Sequence, residues 1–152
     1  MSPVFNTLVL FLLSINISLA AENIEVRNAR INEGPPTVKV HAGYLDIINN
    51  TGKSIELVDA NSPVFEKIEF HSTRIDQGIS SMHRQEKVHI PARTVFSFSP
   101  GQYHLMLFNN NQPVRQGDII PLELIFSDGE IIQADMQVIH VDPVESIHHH
   151  DR

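Results

Sequence analysis

Apolar and polar residues alternate at period two along most of the chain, in short runs. This alternation places successive side chains on opposite faces of a β-strand, whereas a helix needs apolar residues every three or four positions. After the first twenty residues no stretch shows a convincing helical period. Roughly nine short strands predict an all-β fold, an antiparallel sandwich or barrel. The predicted strands cover residues 24–30, 37–49, 54–60, 67–73, 87–90, 94–98, 103–108, 119–126 and 130–141.

Turn-forming residues mark the ends of these runs. Gly34-Pro35-Pro36 follows the first run, and Pro100-Gly101 leads directly into the seventh. Asp128-Gly129 is a strong hairpin signal between the last two runs. The segment Gly78–His83 has no strand pattern and is predicted to be irregular. Because the sequence has neither an internal repeat nor a composition break, residues 22–141 are predicted to form one domain.

The apolar run from Thr7 to Leu19 predicts a targeting segment. It is too short to span a membrane, and it ends in small residues before Glu22, as a signal-peptide cleavage site does. The residues before it include no Lys or Arg, so a buried N-terminal core strand is the alternative interpretation. We expect residues 1–21 to be a signal peptide and the protein to be exported. No cysteine follows the run, so we expect no lipid anchor.

Length, charge and cysteine content narrow the possible functions. With 152 residues and 41% apolar composition, the chain is long enough to bury a genuine core. Its formal charge of −7 offers nucleic acids no basic face, and anionic membranes would repel it. The sequence contains no cysteine. Disulfides, zinc-thiolate sites, cysteine nucleophiles and blue-copper centres are therefore excluded, since each of them needs that residue.

Two histidines and two methionines carry the candidate chemistry. They are His71, Met82, His104 and Met106, separated by ten, twenty-one and one residues. His104 and Met106 lie two apart on a predicted strand, so their side chains project from one face. His71 is predicted at the end of another strand and Met82 in the irregular segment. Each residue alone has a simpler interpretation, as core methionine or surface histidine. Together, imidazole and soft thioether ligands favour Cu(I) over Mg²⁺ or Ca²⁺.

The order and spacing of these four residues resemble the PCuAC family of periplasmic copper chaperones. The resemblance covers roughly Ile24 to Val138, and the four-ligand spacing is its specific part. Gln102 stands where many members have a second glycine, a departure that touches no ligand. The flanking similarity lies in Ala42-Gly43-Tyr44, Asn49-Asn50, Ile68-Glu69-Phe70-His71, Pro100-Gly101-Gln102-Tyr103-His104-Leu105-Met106-Leu107, Gly117-Asp118 and Pro121-Leu122-Glu123-Leu124.

The resemblance implies a cupredoxin-like β-sandwich in the periplasm, in which His71, Met82, His104 and Met106 bind Cu(I). It also implies delivery of this copper to the copper A centre of cytochrome c oxidase, directly or through a thiol-containing copper chaperone. Some members serve other copper enzymes. A copper-storage or resistance protein would use the same site, and the sequence does not separate these roles. We expect a monomer.

The C-terminal segment, residues 142–152, is polar and is predicted to be a flexible tail. Its His148, His149 and His150 could bind Cu(II), which accepts nitrogen ligands, as an accessory site. The alternatives are a solvated tail without metal or a purification remnant, although Asp151-Arg152 follows the histidines.

The other histidines and the last methionine have simpler interpretations. His41 and His89 fall within predicted strands and are expected at the surface. His83 is next to Met82 and is expected at the rim of the metal site, where it could also tune the site or compete as a ligand. Met136, in the last predicted strand, is expected in the core.

Functions from other classes fit the sequence less well. A hydrolase is disfavoured because the chain has no nucleophile elbow, paired-carboxylate motif or His-Glu-x-x-His motif. A copper redox enzyme or electron carrier is disfavoured because the chain has no cysteine and thioether ligands favour the +1 state. An exported interaction module without a metal is a third alternative, and a failure to bind Cu(I) would support it.

Overall fold

The computed structural model describes residues 23–141, which form ten β-strands. This confirms the predicted all-β fold, with one strand more than the nine expected. The predicted signal peptide (residues 1–21) and the predicted tail (residues 142–152) lie outside the described residues. The strands are β1 (Ile24–Asn32), β2 (Val40–Asn49), β3 (Ile55–Asn61), β4 (Phe65–Asp76), β5 (Ile79–Gln85), β6 (Val88–Ile90), β7 (Thr94–Phe98), β8 (Tyr103–Asn110), β9 (Ile119–Phe126) and β10 (Ile131–Ile139).

The strands form one hydrogen-bonded sheet in the order β5-β4-β8-β7-β2-β1-β10-β9-β3-β6. Most neighbours are antiparallel, whereas β1 with β10 and β7 with β8 are parallel. The sheet folds over, so that β3 lies against β4 and β6 against β7. The two halves of the sheet therefore face each other as the layers of a sandwich. Between residues 23 and 141 no helix has both the length and the apolar character that crossing a membrane would require.

Period-two alternation explains how the sheet buries its core. In β9, Ile120, Leu122, Leu124 and Phe126 face inward and are almost fully buried, while the residues between them are exposed or half-buried. Burying one such side chain contributes about 1.5–3 kcal/mol. The same pattern in β8 turns Leu105 into the core, so its neighbours in sequence face outward.

A buried asparagine links the two halves of the sandwich. The amide of Asn49, at the end of β2, donates to the carbonyl oxygens of Lys53 and Pro91, each at 2.9 Å. Its side-chain oxygen accepts from the backbone N–H and the hydroxyl of Thr51, at 3.0 and 2.7 Å. Because all its hydrogen-bonding groups are used, Asn49 fixes the β2–β3 turn against the loop that follows β6.

The prediction that His41 is a surface residue is wrong. His41 lies opposite Leu107 of β8 on the core-facing side of β2, is only 4% exposed, and packs edge-on against Phe65 with ring centroids 5.8 Å apart. The reason is that His41 shares the core-facing side of the strand with Leu45 and Ile47, whereas Val40 and Ala42 lie on the outer face. His89 is exposed, as predicted.

A glycine in β2 is required by close packing. A Cβ atom on Gly43 would lie 2.9 Å from the Cδ1 atom of Leu107 and 2.9 Å from the Cε atom of Met136. Met136 is fully buried, which confirms that it is a core residue. Gly43 therefore makes room for the methionine that fills the centre of the sandwich.

The prediction that Met82 lies in an irregular segment is also wrong. Met82 belongs to β5, which pairs with β4 through a tight turn at Gln77 and Gly78, with φ angles of 48° and 80°. Two successive left-handed residues are typical of a type I′ hairpin turn. β5 is an edge strand with mostly exposed side chains, so it lacks the apolar alternation that reveals other strands. β4 continues to Asp76, which places His71 within the strand rather than at its end.

Candidate metal centre

The register of two neighbouring strands brings the predicted histidines face to face. His71 on β4 lies directly opposite His104 on β8. Their ring centroids are 5.9 Å apart and the rings are inclined by 35°. Both side chains point away from the core, because Phe70 and Leu105, their neighbours in sequence, point into it. The pair therefore lies on the outer face of the sheet.

Strand pairing puts both methionines on the same face as the histidines. Met106 is two residues from His104 and lies opposite Glu69, which is two residues before His71. Met82 lies opposite Thr73, two residues after His71. Directly paired residues share a face, and so do residues two apart along a strand. The fold thus presents all four predicted ligands on one surface.

The four residues are not equally close to one another. The two methionines lie on either side of the histidine pair, with Cα atoms about 16 Å apart by strand spacing and rise. Met82 is on the edge strand and 63% exposed, whereas Met106 is half-buried on the inner neighbour. His71, His104 and Met106 therefore form a compact group, and Met82 lies apart from it on the edge strand.

Each histidine has one ring nitrogen committed to a hydrogen bond. Nε2 of His71 lies 2.8 Å from the carboxylate of Glu69, and Nδ1 of His104 lies 3.2 Å from the backbone carbonyl of Gln102. Carboxylate and carbonyl oxygens only accept hydrogen bonds, so we assign the proton of each neutral ring to these nitrogens. That assignment leaves a lone pair on Nδ1 of His71 and on Nε2 of His104.

These two lone pairs have nothing to bind within residues 23–141. Nδ1 of His71 and Nε2 of His104 are both buried and find no hydrogen-bond partner there. Buried polar atoms are normally paired, and an imidazole that donates one N–H to a carboxylate or carbonyl is the usual arrangement of a metal-ligating histidine. The donor set fits a soft cation, with two thioethers beside two imidazoles. In the same part of the chain, no three His, Asp or Glu side chains are grouped closely enough to hold a metal ion.

Glu69 holds the His71 ring, and the sequence analysis did not single it out. Its carboxylate accepts from His71 and also lies 2.9 Å from Nζ of Lys67 and 3.5 Å from Nε of Arg84. The hydrogen bond from His71, followed by that from Lys67, lowers the pKa of Glu69. The carboxylate is therefore ionised at neutral pH and holds the His71 ring. The sequence signal that could have identified Glu69 is its position two residues before His71, which places both side chains on the same face of the strand.

Gln102 contributes its backbone rather than its side chain. The carbonyl oxygen of Gln102 accepts the Thr73 N–H at 2.9 Å as well as the His104 ring. The turn before β8 closes normally, with Gly101 at φ 77° and the Gln102 N–H donating to Ser99 at 3.0 Å. The glutamine in place of a second glycine therefore leaves the support of His104 intact.

One further histidine near the predicted site does not join this group. His83 pairs with Ser72 and so lies on the hairpin face opposite to Met82, where its Nε2 is 3.0 Å from the Ser81 hydroxyl. It does not face the histidine pair. His148, His149 and His150 lie outside the described residues, so the accessory site stays a prediction.

Comparison with known proteins places the sequence in a family. A family model for LpqE-like lipoproteins matches residues 24–138. The uncharacterised protein RP573 of Rickettsia prowazekii is 28% identical over 119 residues, which cover 74% of this chain and 66% of that protein. The chain thus spans just under two thirds of the length of this relative.

Solved structures share the fold. The copper-bound PCuAC domain from PmoF2 superimposes with a TM-score of 0.67 at 16% identity, covering 80% of this chain and 97% of that domain. The Cu(I) form of DR1885 from Deinococcus radiodurans gives a TM-score of 0.60 at 24% identity, covering 73% and 74%. The cupredoxin-like sandwich of PCuAC domains, which the resemblance implied, is thereby confirmed.

Proposed function

The chain belongs to the LpqE-like family, and from that membership and the geometry of its histidine pair we propose that it is a copper chaperone. It would carry Cu(I) as cargo on His71, Met82, His104 and Met106. One observation supports this most directly: two facing imidazoles each keep a buried nitrogen without a hydrogen-bond partner. Two solved structures with the same fold are themselves copper-bound.

The histidine pair can bind copper without losing its existing contacts, and Met82 on the edge strand would have to move toward the ion to join them. Nδ1 of His71 and Nε2 of His104 offer lone pairs while Glu69 and Gln102 keep the other nitrogens fixed. Thioethers need no deprotonation, and neutral imidazoles release no proton on binding. All four ligands are uncharged, and no thiolate takes part. Such a site holds Cu(I) less tightly than a thiolate site and can pass it to one.

The exposed edge strand suggests how copper leaves. Met82 is the most exposed of the four ligands and lies on the edge of the sheet. A recipient approaching β5 would replace Met82 first, while the His71–His104 pair still holds the ion. The resemblance to PCuAC chaperones suggests the copper-site subunit of cytochrome c oxidase, or a thiol-containing copper chaperone, as recipient. Export through a signal peptide at residues 1–21 would bring the protein to the periplasm, where such recipients are found.

The first experiment measures Cu(I) binding by the chain from Glu22 onward, in competition with a chromophoric Cu(I) chelator. We expect one tight equivalent, weakened strongly by His71→Ala and Met106→Ala. The matched control is Met136→Leu, which removes a thioether from the core, on the opposite face of the sheet from the four ligands. Undiminished binding in both ligand variants would mean that copper sits elsewhere, and no binding in any protein would sink the proposal.

A second experiment separates delivery from storage. The Cu(I)-loaded protein is mixed with an apo protein that presents a thiolate copper site, and transfer is followed by the spectrum of the recipient. A chaperone transfers copper faster than copper dissociates into a chelator, because a mixed complex forms. Equal rates would favour the storage role.

Replacing His148, His149 and His150 with Ala tests whether the tail adds a Cu(II) equivalent.

A further inference from the structure

A second site-like feature lies at the other end of the sandwich. A cleft of about 590 Å³ opens between the loop after β1 and the loop after β8. His104 stands near the start of β8, whereas Asn110, which lines the cleft, ends that strand about 20 Å away. Val38 and Val114 supply part of its apolar wall. The cleft is thus separate from the histidine pair.

Two buried side chains at this cleft have polar atoms without a partner among the described residues. His41 is 4% exposed, and neither of its ring nitrogens finds a hydrogen-bond partner in the described part of the chain. Asn110 donates its amide to the carbonyl of Gln112 at 2.9 Å, but its buried side-chain oxygen is likewise unpartnered among those residues. Buried polar atoms are normally hydrogen-bonded. The partners missing here are therefore groups that do not belong to the described chain.

The unpartnered atoms define which head group would fit. A neutral imidazole offers one donor and one acceptor, and the oxygen of Asn110 only accepts. A carboxylate cannot donate to Asn110, and an ammonium group cannot accept from the His41 N–H. A hydroxyl group both donates and accepts. The volume lies within the range of small-molecule pockets, which combine apolar walls with a few convergent polar groups.

We propose that this cleft binds a compact apolar molecule carrying one hydroxyl group, with the hydroxyl bonded to His41 or Asn110 and the body against the apolar wall. The rim carries charge, since His140 and Glu33 pair at 3.1 Å, so the apolar body lies below the rim, against Val38 and Val114. This inference does not depend on copper binding, because it uses none of the residues of the metal centre.

The test compares two probes that differ by a single hydroxyl group, p-cresol and toluene. Each is titrated into the chain from Glu22 onward while the imidazole nitrogens of His41 are followed by nitrogen-15 NMR. We expect p-cresol to bind at least tenfold more tightly than toluene and to shift the His41 resonances. Equal affinities, or no binding of either probe, would overturn the proposal.

Two variants locate the binding. Gly34 lines the cleft, and a Cβ atom added there would lie 3.4 Å from Val38 and 3.6 Å from the Cε1 atom of His41, in ordinary contact. Gly34→Leu should therefore fill the cleft and weaken p-cresol at least tenfold. His41→Phe keeps a ring and removes both nitrogens, so it should bring p-cresol and toluene to similar affinities.

The controls keep both variants interpretable. Backbone amide spectra of both variants should keep the dispersion of the wild-type protein, which reports that the sandwich is still folded. If His41→Phe fails to fold, Gly34→Leu decides alone. Unchanged p-cresol binding in Gly34→Leu would place the probe elsewhere on the surface and overturn the proposal.

Discussion

The histidines of the metal centre and the histidine of the cleft differ in their hydrogen bonds. At one end, His71 and His104 each donate one N–H to an oxygen and keep one lone pair free. At the other end, His41 is buried with both nitrogens unpartnered within the described chain. A ring held by one hydrogen bond has a fixed tautomer and a directed lone pair, which a metal requires. A ring without any hydrogen bond has no fixed tautomer and no lone pair held in one direction. Burial alone therefore does not identify a metal ligand; a hydrogen bond on the opposite ring nitrogen is needed as well.

The largest effect should come from replacing His104 with phenylalanine, and the same replacement of His41 provides the comparison. His104→Phe removes a ligand and should lower Cu(I) affinity by at least about 100-fold, beyond the usual cost of losing a supporting contact. His41→Phe should leave Cu(I) affinity unchanged, because that ring faces the core. Chelator competition measures both. Similar losses in the two variants would contradict the distinction drawn between the two ends.

A smaller effect should follow from removing the support of His71. Glu69→Leu deletes the acceptor for Nε2 and should lower Cu(I) affinity by about 10–100-fold. Glu69→Gln keeps an acceptor oxygen and should recover part of that loss. Nitrogen-15 NMR of His71 gives an independent reading, since Glu69→Leu should increase the fraction of rings protonated on Nδ1. An unaltered tautomer in Glu69→Leu would show that the carboxylate does not set it.

The two methionines should differ in the same assay. Met106→Leu should weaken Cu(I) binding more than Met82→Leu, because Met106 neighbours His104 on one strand and Met82 is exposed on the edge strand. We expect about tenfold or more for Met106→Leu and a few-fold for Met82→Leu, with leucine preserving the volume of each side chain. The reverse order would mean that the hairpin closes over the ion more tightly than the sheet does.

The smallest effect concerns acid stability at the cleft. The hydrogen bond from the Gln116 N–H, followed by that from His140, lowers the pKa of Glu33 below its usual 4.5. Because the folded state has the lower pKa, Glu33 stabilises the fold above about pH 4.5, and this contribution is lost as pH falls through the lowered value. Glu33→Gln should therefore flatten the decline of the melting temperature below pH 5. An unchanged acid slope would contradict this assignment.

Sequence patterns correctly predicted that His104 and Met106 share one face of β8, but they did not predict the β4–β5 hairpin. His104 and Met106 share a face because strand geometry allows nothing else, and the all-β fold followed from the same periodicity. β5 was missed because an edge strand buries too little apolar surface to show alternation, so Met82 gave no local signal. The direct opposition of His71 and His104 depends on β4–β8 register, which a single sequence does not encode locally.

His41 shows a different limit. Apolar residues alternate on both faces of β2, and the face with Gly43 is the buried one because Met136 needs the space. A glycine and a histidine on a core-facing side look polar in sequence. Only the opposite sheet layer, contributed by residues almost a hundred positions later, decides which face is inside.

The carbonyl of Gln102 has one more consequence. It joins the His104 ring to the backbone of Thr73, opposite Met82. Since the acceptor is a main-chain atom, no side-chain replacement at position 102 deletes it, and an alanine scan would pass over it. The shape of a turn, rather than the identity of a side chain, orients the imidazole at this point. Homologous chains can therefore differ at this position and still orient the same imidazole.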